Sequence, residues 1–365
     1  MRRFNFIILF VVFNLVQPFY GQVYHLLVGT YTNTGKSDGI YTYVVDFKNN
    51  TIIQTSLAKG VMNPSFLVLT KDSKFVYSVN QNEKNSTITA FSFNEGKLTF
   101  LNKVDAKGEG PCYISASDKH VFTANYSDGS LCVFARKPDG TLSEVVQKIQ
   151  HVGKSINKER QNEPHVHQVI LSPDNKYLIA NDLGTDKVTI YNYNPENQTN
   201  LLTTFDTLTV KLGSGPRHAA FSKDGKRLYL VQEIDGTVSV IEMRNGKLNL
   251  VQETTVIAKK GVVARAADIH LTPDEKFLYV TNRGVANDIS CFSVGSDGKL
   301  SYLEQISTGG DGPRNFSITP DGQYVFIAHQ FSDNIKIFKR NIQTGRLTDT
   351  SLQIKVGAPV CLVFF

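Results

Sequence analysis

Helical periodicity is missing from this sequence, because apolar residues nowhere recur at helical spacing over three turns. Apart from one N-terminal segment, no apolar run approaches the length of a membrane span, so we expect a soluble mature protein with no membrane span. The net charge of +6 is too small to indicate a nucleic-acid-binding protein. A mild positive excess is compatible with a small anionic ligand.

Cysteine is scarce, and its spacing excludes the usual zinc motifs. All four cysteines lie in apolar, strand-like runs, which favours buried free thiols over disulfides. They are Cys112, Cys132, Cys291 and Cys361.

Histidine offers one alternative metal site. His165 and His167 project from the same side of a predicted strand and could bind a metal together with His218 or His270. No cluster of carboxylates or cysteines completes such a site in the sequence. We therefore expect neither a metal nor another cofactor.

The N-terminal segment has the pattern of a secretory signal peptide. Arg2 and Arg3 precede an apolar run over residues 6–16, which is too short to cross a bilayer. We expect residues 1–21 to be removed and the protein to be secreted or periplasmic. Loss of the two arginines lowers the net charge from +6 to +4.

A repeat of about fifty residues organises the rest of the chain. Each copy contains a strand, a turn with an aspartate, and further short strands with alternating apolar positions. VLTKDSKFVYSVNQ, AFSKDGKRLYLVQE and SITPDGQYVFIAHQ are three examples. The six turn aspartates are Asp72, Asp118, Asp174, Asp224, Asp274 and Asp321.

Six such units of four strands predict an all-β protein with a β-propeller fold. The C-terminal GAPVCLVFF resembles the first strand of a further unit, whereas YHLLVGTYT and GIYTYVVDF near the N-terminus resemble the second and third. Pairing the two chain ends completes a seventh unit. We therefore predict one seven-bladed domain over residues 22–365, in preference to a β-helix or stacked sandwiches.

Two positions in each copy meet at one rim of the predicted ring. One starts the innermost strand and the other ends the second strand, and these strands are antiparallel neighbours. The polar residues there are His167, Arg217, Glu233, Arg283 and Arg314. Converging polar groups predict a binding site at the channel mouth, although a wet channel without a function could carry them too.

The longest unit has its extra residues in HVGKSINKERQNE, residues 151–163. This polar, basic segment directly precedes His165 and returns to the rim where the inner strands begin. The sequence leaves two interpretations open, a cover over the site or an ordinary solvated loop.

An ordered set of motifs resembles the lactonase family of seven-bladed propellers, which includes the propeller-type 6-phosphogluconolactonase and 3-carboxy-cis,cis-muconate cyclase. The set is HVHQVILSPD, GSGPRHAAFSKD with a glutamate sixteen residues after its arginine, AADIHLTPD, YVTNRG and GPRNFSITPDG. The resemblance covers nearly all of residues 22–365. Gln81 departs from it, because many relatives carry a glutamate there. The signal peptide is a second departure, since the phosphogluconolactone of central metabolism is cytoplasmic.

The resemblance implies catalytic roles for His167, Glu233 and Arg283. We also predict a substrate-binding set, within which we favour Asp268 and His270 as a packed hydrogen-bonding pair rather than as catalysts. The set is Arg217, His218, Asp268, His270 and Arg314.

We predict metal-independent hydrolysis of an anionic sugar-acid lactone, and we expect the protein to be a monomer. We expect Arg217 and Arg314 to hold the anionic group and Arg283 or His167 to stabilise the oxyanion. Glu233 would position or activate water, and His167 would transfer the proton. A muconate-type cycloisomerase and a non-catalytic propeller that binds a glycan or a protein remain the alternatives.

Overall fold

Short antiparallel strands account for most of the backbone. The structure is a computed structural model that describes residues 23–257 and 262–365, and within these ranges 28 strands form seven four-stranded sheets. No helix among these residues is long and apolar enough to cross a membrane. The predicted signal peptide lies outside the described residues.

Each sheet is one blade, and in six of the seven the four strands are antiparallel neighbours in chain order. Blade 1 contains β1 (Val23–Thr30), β2 (Gly39–Asp46) and β3 (Thr51–Lys59). Blade 2 contains β4 (Leu67–Leu69), β5 (Phe75–Asn80), β6 (Thr87–Asn94) and β7 (Lys97–Asp105), with a 3-10 turn at Glu83–Asn85. Blade 3 contains β8 (Pro111–Ala116), β9 (His120–Asn125), β10 (Ser130–Arg136) and β11 (Leu142–Gln150). Blade 4 contains β12 (Val166–Leu171), β13 (Tyr177–Asp182), β14 (Lys187–Tyr193) and β15 (Leu202–Thr209).

The remaining blades repeat this arrangement. Blade 5 contains β16 (Pro216–Phe221), β17 (Arg227–Gln232), β18 (Thr237–Arg244) and β19 (Lys247–Thr255). Blade 6 contains β20 (Ala266–Leu271), β21 (Phe277–Asn282), β22 (Asp288–Val294) and β23 (Leu300–Ser307). Blade 7 contains β24 (Pro313–Ile318), β25 (Tyr324–His329), β26 (Asn334–Arg340) and β27 (Leu347–Lys355). The last strand, β28 (Pro359–Phe364), returns to blade 1.

The ring closes as predicted, because β28 pairs with β1 and supplies the inner strand of blade 1. Leu26 lies opposite Phe364 and Val28 opposite Leu362 in this antiparallel pair. The strand order β28-β1-β2-β3 therefore joins the two ends of the chain in one sheet. The prediction of seven four-stranded blades is confirmed.

The recurrent aspartate turn has a local hydrogen-bonding cause. In blade 4 the Ser172 hydroxyl donates to Asp174 Oδ1 at 2.7 Å and accepts the backbone N–H of Tyr177 at 3.0 Å. Thr319 and Asp321 form the same turn in blade 7, with their oxygens 2.6 Å apart. A serine or threonine and an aspartate two residues later can thus close the turn by local hydrogen bonds alone.

The core lies between the blades rather than inside any one of them. Tyr77 and Tyr229, on second strands, are buried, and each hydroxyl donates to a backbone carbonyl of a glycine in the next blade, Gly140 and Gly298 respectively, at 3.0 Å. Their rings fill the wedge between sheets while their hydroxyls are satisfied. The four cysteines are buried and free, as predicted.

A buried histidine predicts weaker stability in acid. His329 ends β25 with neither ring nitrogen hydrogen-bonded among the described residues, and burial lowers its pKa from 6.5 to about 4. The unfolded chain therefore binds a proton more readily, so the stabilisation present above pH 6.5 is lost as the pH falls towards 4. This histidine alone should lower the free energy of unfolding by about 2 kcal/mol at pH 5 relative to neutral pH.

The test is His329→Asn, because the equivalent strands β9 and β21 end in Asn125 and Asn282. Urea denaturation should show that the variant loses less free energy of unfolding than the parent between pH 7 and pH 5. Equal losses in the two proteins would show that His329 does not drive the acid response.

Candidate active site

A cavity of about 710 Å³ opens at the channel mouth where the inner strands begin. His167, Glu233, Arg283 and Arg314 line this upper cavity, as the sequence predicts. Arg217 does not line it. Arg217 lies below, against a smaller lower cavity that it shares with His167 and Arg314.

Bulges at the start of the inner strands direct these side chains. In blade 4 the residues of β12 that pair with β13 pass from Val166 to Gln168, so His167 is skipped. Arg217 in blade 5 and Arg314 in blade 7 are skipped in the same way. A bulged residue bends its strand and re-aims its side chain. The mouth residues of these three blades therefore occupy corresponding backbone positions.

Glu233 lies at the centre of three guanidinium groups. Arg217 Nε donates to its Oε2 at 2.8 Å, and Arg283 Nη2 lies 2.9 Å from the same oxygen. Arg160 Nη2 donates to Oε1 at 2.7 Å. Both carboxylate oxygens are therefore engaged by cations.

This environment makes Glu233 a weak base. Burial alone would raise the pKa of Glu233, but the guanidiniums of Arg283, Arg217 and Arg160 outweigh it and hold the pKa well below its usual range. A carboxylate stabilised in this way is better suited to hold arginines than to accept a proton from water. The predicted role of Glu233 in activating water is therefore less favoured by the geometry than a role as counterion.

Arg217 also differs from its predicted role. It is 1% exposed, and its guanidinium bonds Glu233 and the backbone carbonyl of Ala267. An enclosed group with these partners cannot grip a substrate in the upper cavity. We correct its role to positioning Glu233.

His167 is the acid–base candidate at the cavity surface. Burial and the nearby Arg217 lower its pKa well below the usual value, so the imidazole is neutral at pH 7. Its Nδ1 lies 3.8 Å from the Cys112 thiol, and its ring contacts Tyr126 edge-on at 5.5 Å. A neutral imidazole has a free nitrogen that can accept a proton, although the lowered pKa makes His167 a weaker base than an exposed histidine.

The loop formed by residues 151–163 reaches the site through Arg160. The loop is anchored by the buried Gln161, whose side chain donates to the Leu183 carbonyl at 2.9 Å and to Asp186 Oδ1 at 2.8 Å. Arg160 then bonds Glu233 and, at 3.2 Å, the Tyr126 hydroxyl. The structure therefore favours a loop that takes part in the site over an ordinary solvated loop.

Arg160→Gln should raise the KM for an anionic lactone roughly threefold to tenfold, because one cation leaves the wall of the upper cavity. Stability should fall by no more than about 1 kcal/mol, since the Arg160 side chain is 39% exposed and water screens its ion pair. Steady-state kinetics and urea denaturation measure both quantities. Lys158→Gln, at an exposed position of the same loop, is the matched control; equal effects of the two variants would contradict a specific role for Arg160.

The side chain of Arg314 carries a positive charge at the mouth of the upper cavity. No hydrogen bond or ion pair to its side chain is found within the described ranges, and its guanidinium lies 5.5 Å from the centre of the Tyr31 ring. Such a cation on a concave wall is available to an anionic ligand.

Amides form a further part of the lining of the upper cavity. Asn33, Gln81 and Asn82 carry no formal charge, and the carboxylate residue Glu83 lines the cavity beside them. Asn63 lines it too, but its amide already bonds three backbone groups. The cavity can thus offer arginines to an anion and amides to hydroxyl groups.

His218, Asp268 and His270 lie beneath the upper cavity and do not line it. Asp268 Oδ1 lies 2.8 Å from His218 Nδ1, and Asp268 Oδ2 lies 3.0 Å from His270 Nε2. The expected packing pair of Asp268 and His270 is confirmed. Direct binding of a substrate in the upper cavity by these three residues is not supported by their positions.

Sequence reasoning missed two arginines of the upper cavity. Arg160 lies in the irregular loop, and Arg265 precedes β20 by one residue. The basic character of the loop was the only available signal for Arg160. The histidine-based metal alternative gains no support, because no group of three potential metal ligands occurs within residues 23–257 and 262–365.

Comparisons with known proteins agree with the fold. The model of the family "Lactonase, 7-bladed beta-propeller" matches residues 25–364. A 6-phosphogluconolactonase from Formosa agariphila is 35% identical over 349 residues, which are 93% of this chain and 99% of the relative.

Two solved structures are similar over almost their whole length. A putative 6-phosphogluconolactonase from Bacteroides fragilis is 41% identical, with a TM-score of 0.89 over 94% of this chain and 98% of that chain. A periplasmic gluconolactonase from Pseudomonas aeruginosa is 36% identical, with a TM-score of 0.89 over 94% and 99%. This chain, with its seven blades and its polar channel mouth, belongs to the lactonase family of seven-bladed β-propellers.

Proposed function

We propose that this protein is a lactone hydrolase of the 6-phosphogluconolactonase kind, acting on a sugar-acid lactone in the upper cavity. The observation that carries the proposal is a single cavity lined by the cation of Arg314, the neutral His167 and several amides. A sugar-acid lactone carries hydroxyl groups for the amides, and its phosphorylated form carries an anion for the arginine. The names of the relatives point to the same class of substrate.

The reaction needs one water and no change of oxidation state. Water forms a bond to the ring carbonyl carbon and gives one proton to His167. The resulting oxyanion is stabilised by Arg283, whose Nε and Nη2 are held by the Arg265 and Ala266 carbonyls. The ring C–O bond then breaks, His167 returns the proton to the leaving oxygen, and the product acid ionises. A well-placed donor of this kind supplies on the order of 3 kcal/mol.

The purified protein should be assayed against 6-phosphogluconolactone, unphosphorylated gluconolactone and a muconate-type lactone, with EDTA present. The proposal expects hydrolysis of the first two above the spontaneous rate in buffer. Turnover restricted to the muconate-type compound would indicate the cycloisomerase instead. Lactone hydrolysis at the buffer rate, with measurable binding of a glycan, would indicate a binding propeller.

We further propose that the protein acts outside the cytoplasm, as a monomer. The pattern of residues 1–21 and the similarity to a periplasmic gluconolactonase support export. Expression of the full chain, followed by fractionation and mass spectrometry, should find the protein outside the cytoplasm and lacking this segment. Light scattering should give the mass of one chain.

A further inference from the structure

The lower cavity has a volume of about 10 Å³ and lies directly beneath the upper one. His167, Cys112 and Arg314 line both cavities and form the partition between them. Ser65 and His218 line the lower one. A cavity of this size holds one water when two to four polar groups are available to bind it.

Two polar atoms of the lower cavity have no hydrogen-bond partner among the described residues. They are Ser65 Oγ and His218 Nε2, and the residues that carry them are only 5% and 3% exposed. A buried polar atom without a partner destabilises the fold, because it has lost its hydrogen bonds to water. One water bound to both atoms would remove this destabilisation at both positions.

The orientation of His218 is fixed from its other side. Its Nδ1 lies 2.8 Å from Asp268 Oδ1, and an ionised carboxylate can only accept. Asp268 is ionised, because contacts with His270 and His218 outweigh burial and keep its pKa well below the usual value. His218 Nδ1 is therefore the donor, and its Nε2 presents a lone pair to the lower cavity.

The two histidines that border the lower cavity are close neighbours. The ring centres of His167 and His218 lie 5.1 Å apart, and both rings are nearly enclosed. A positive charge on His167 is opposed by burial, Arg217 and Arg314. Burial and Arg217 also lower the pKa of His218, to about 4, but the carboxylate of Asp268 next to it partly offsets them. Asp268 thus gives His218 a counterion that His167 lacks.

We propose that one water in the lower cavity links His167 to His218, and that the His218–Asp268 pair relays the proton that His167 receives during hydrolysis. The inference rests on the proposed function. His167 accepts a proton from the attacking water on one ring nitrogen and releases the proton of the other to the cavity water. That water passes one of its own protons to His218 Nε2. The steps reverse when the leaving oxygen is protonated, so no proton is gained or lost by the relay, and His218 and Asp268 are positioning residues for His167.

His218→Gln is the main test, because an amide can still bind the cavity water but cannot take up a proton. We expect kcat on gluconolactone to fall roughly 10-fold to 100-fold with KM within twofold of the parent. The kcat–pH profile should shift, and the proton inventory in H₂O–D₂O mixtures should change from several transferred protons to one. Asp268→Asn should give the same signature.

Ser65→Val provides a second route should the first variants fold poorly. Its methyl groups fill the lower cavity and exclude the water, while His218 and Asp268 stay intact. The kinetic signature should match that of His218→Gln. His329→Asn is the matched control, because it removes an equally buried histidine that lines neither cavity.

Three outcomes would overturn the relay. One is parental kcat, pH profile and proton inventory in both His218→Gln and Ser65→Val. Another is loss of activity with a raised KM and an unchanged pH profile, which indicates a structural role. The third is a high-resolution crystal structure without a water between Ser65 Oγ and His218 Nε2. By contrast, a parental protein that hydrolyses no lactone above the buffer rate would refute the proposed function itself.

Discussion

Glu233→Gln is expected to lower the free energy of unfolding by about 3–5 kcal/mol and to reduce kcat/KM at least 100-fold. The glutamine has the size of the glutamate but no charge. Arg217, Arg283 and Arg160 would then lie close together without the carboxylate that they share. Repulsion among the guanidiniums displaces them, and with them the wall of the upper cavity.

Urea denaturation and steady-state kinetics measure the two effects of Glu233→Gln. The double variant Arg217→Met/Glu233→Gln is an informative companion, because it removes the most buried of the three cations together with the carboxylate. It should recover part of the lost stability without recovering activity. A single variant with parental stability and reduced activity would instead favour Glu233 as a direct participant in the chemistry.

Arg314→Ala is expected to reduce kcat/KM for 6-phosphogluconolactone roughly 100-fold, the equivalent of about 3 kcal/mol for a lost charge-assisted contact. The loss for unphosphorylated gluconolactone should be only a few-fold, because that substrate has no anionic group. Stability should be close to parental, since no acid among the described residues depends on Arg314. The two substrates thus act as internal controls for each other.

Ionic strength adds a second measurement for Arg314. Added salt should reduce kcat/KM of the parent for the phosphorylated substrate and should affect the Arg314→Ala variant less. Arg314→Lys keeps the charge but loses the planar fork of donors, so we expect an intermediate value. Equal losses on both substrates would contradict an anion-binding role and indicate that Arg314 contacts the reacting carbonyl.

The blade count could be predicted because its cause is local. A hydroxyl and a carboxylate two residues apart close the inner hairpins of blades 2, 4, 5, 6 and 7, as Ser172 and Asp174 do, and this chemistry is visible in the sequence. The convergence of His167 and Glu233 on one rim was also predictable, because antiparallel strands place the start of one beside the end of the next.

The remaining features of the site depend on side-chain contacts and a loop path that leave no repeating pattern in the sequence. Spacing places Arg217 at the rim, but its hydrogen bonds to Glu233 and to the Ala267 carbonyl hold its side chain beneath the surface. Arg160 lies in an irregular loop whose path is set by the anchoring of Gln161. The contact between His218 and Asp268 joins two blades, and the distance between blades is set by packing of the whole ring.

Closure of the ring by β28 also controls when the site comes into existence. This strand follows all the others in the chain, so ribosomal synthesis delivers it after them. Val360, in β28, lines the lower cavity. Until β28 pairs with β1, one of the seven sides of the channel is absent and the cavity beneath His167 stays open. Nascent chains, and chains truncated before β28, therefore have six folded blades at most and no complete site.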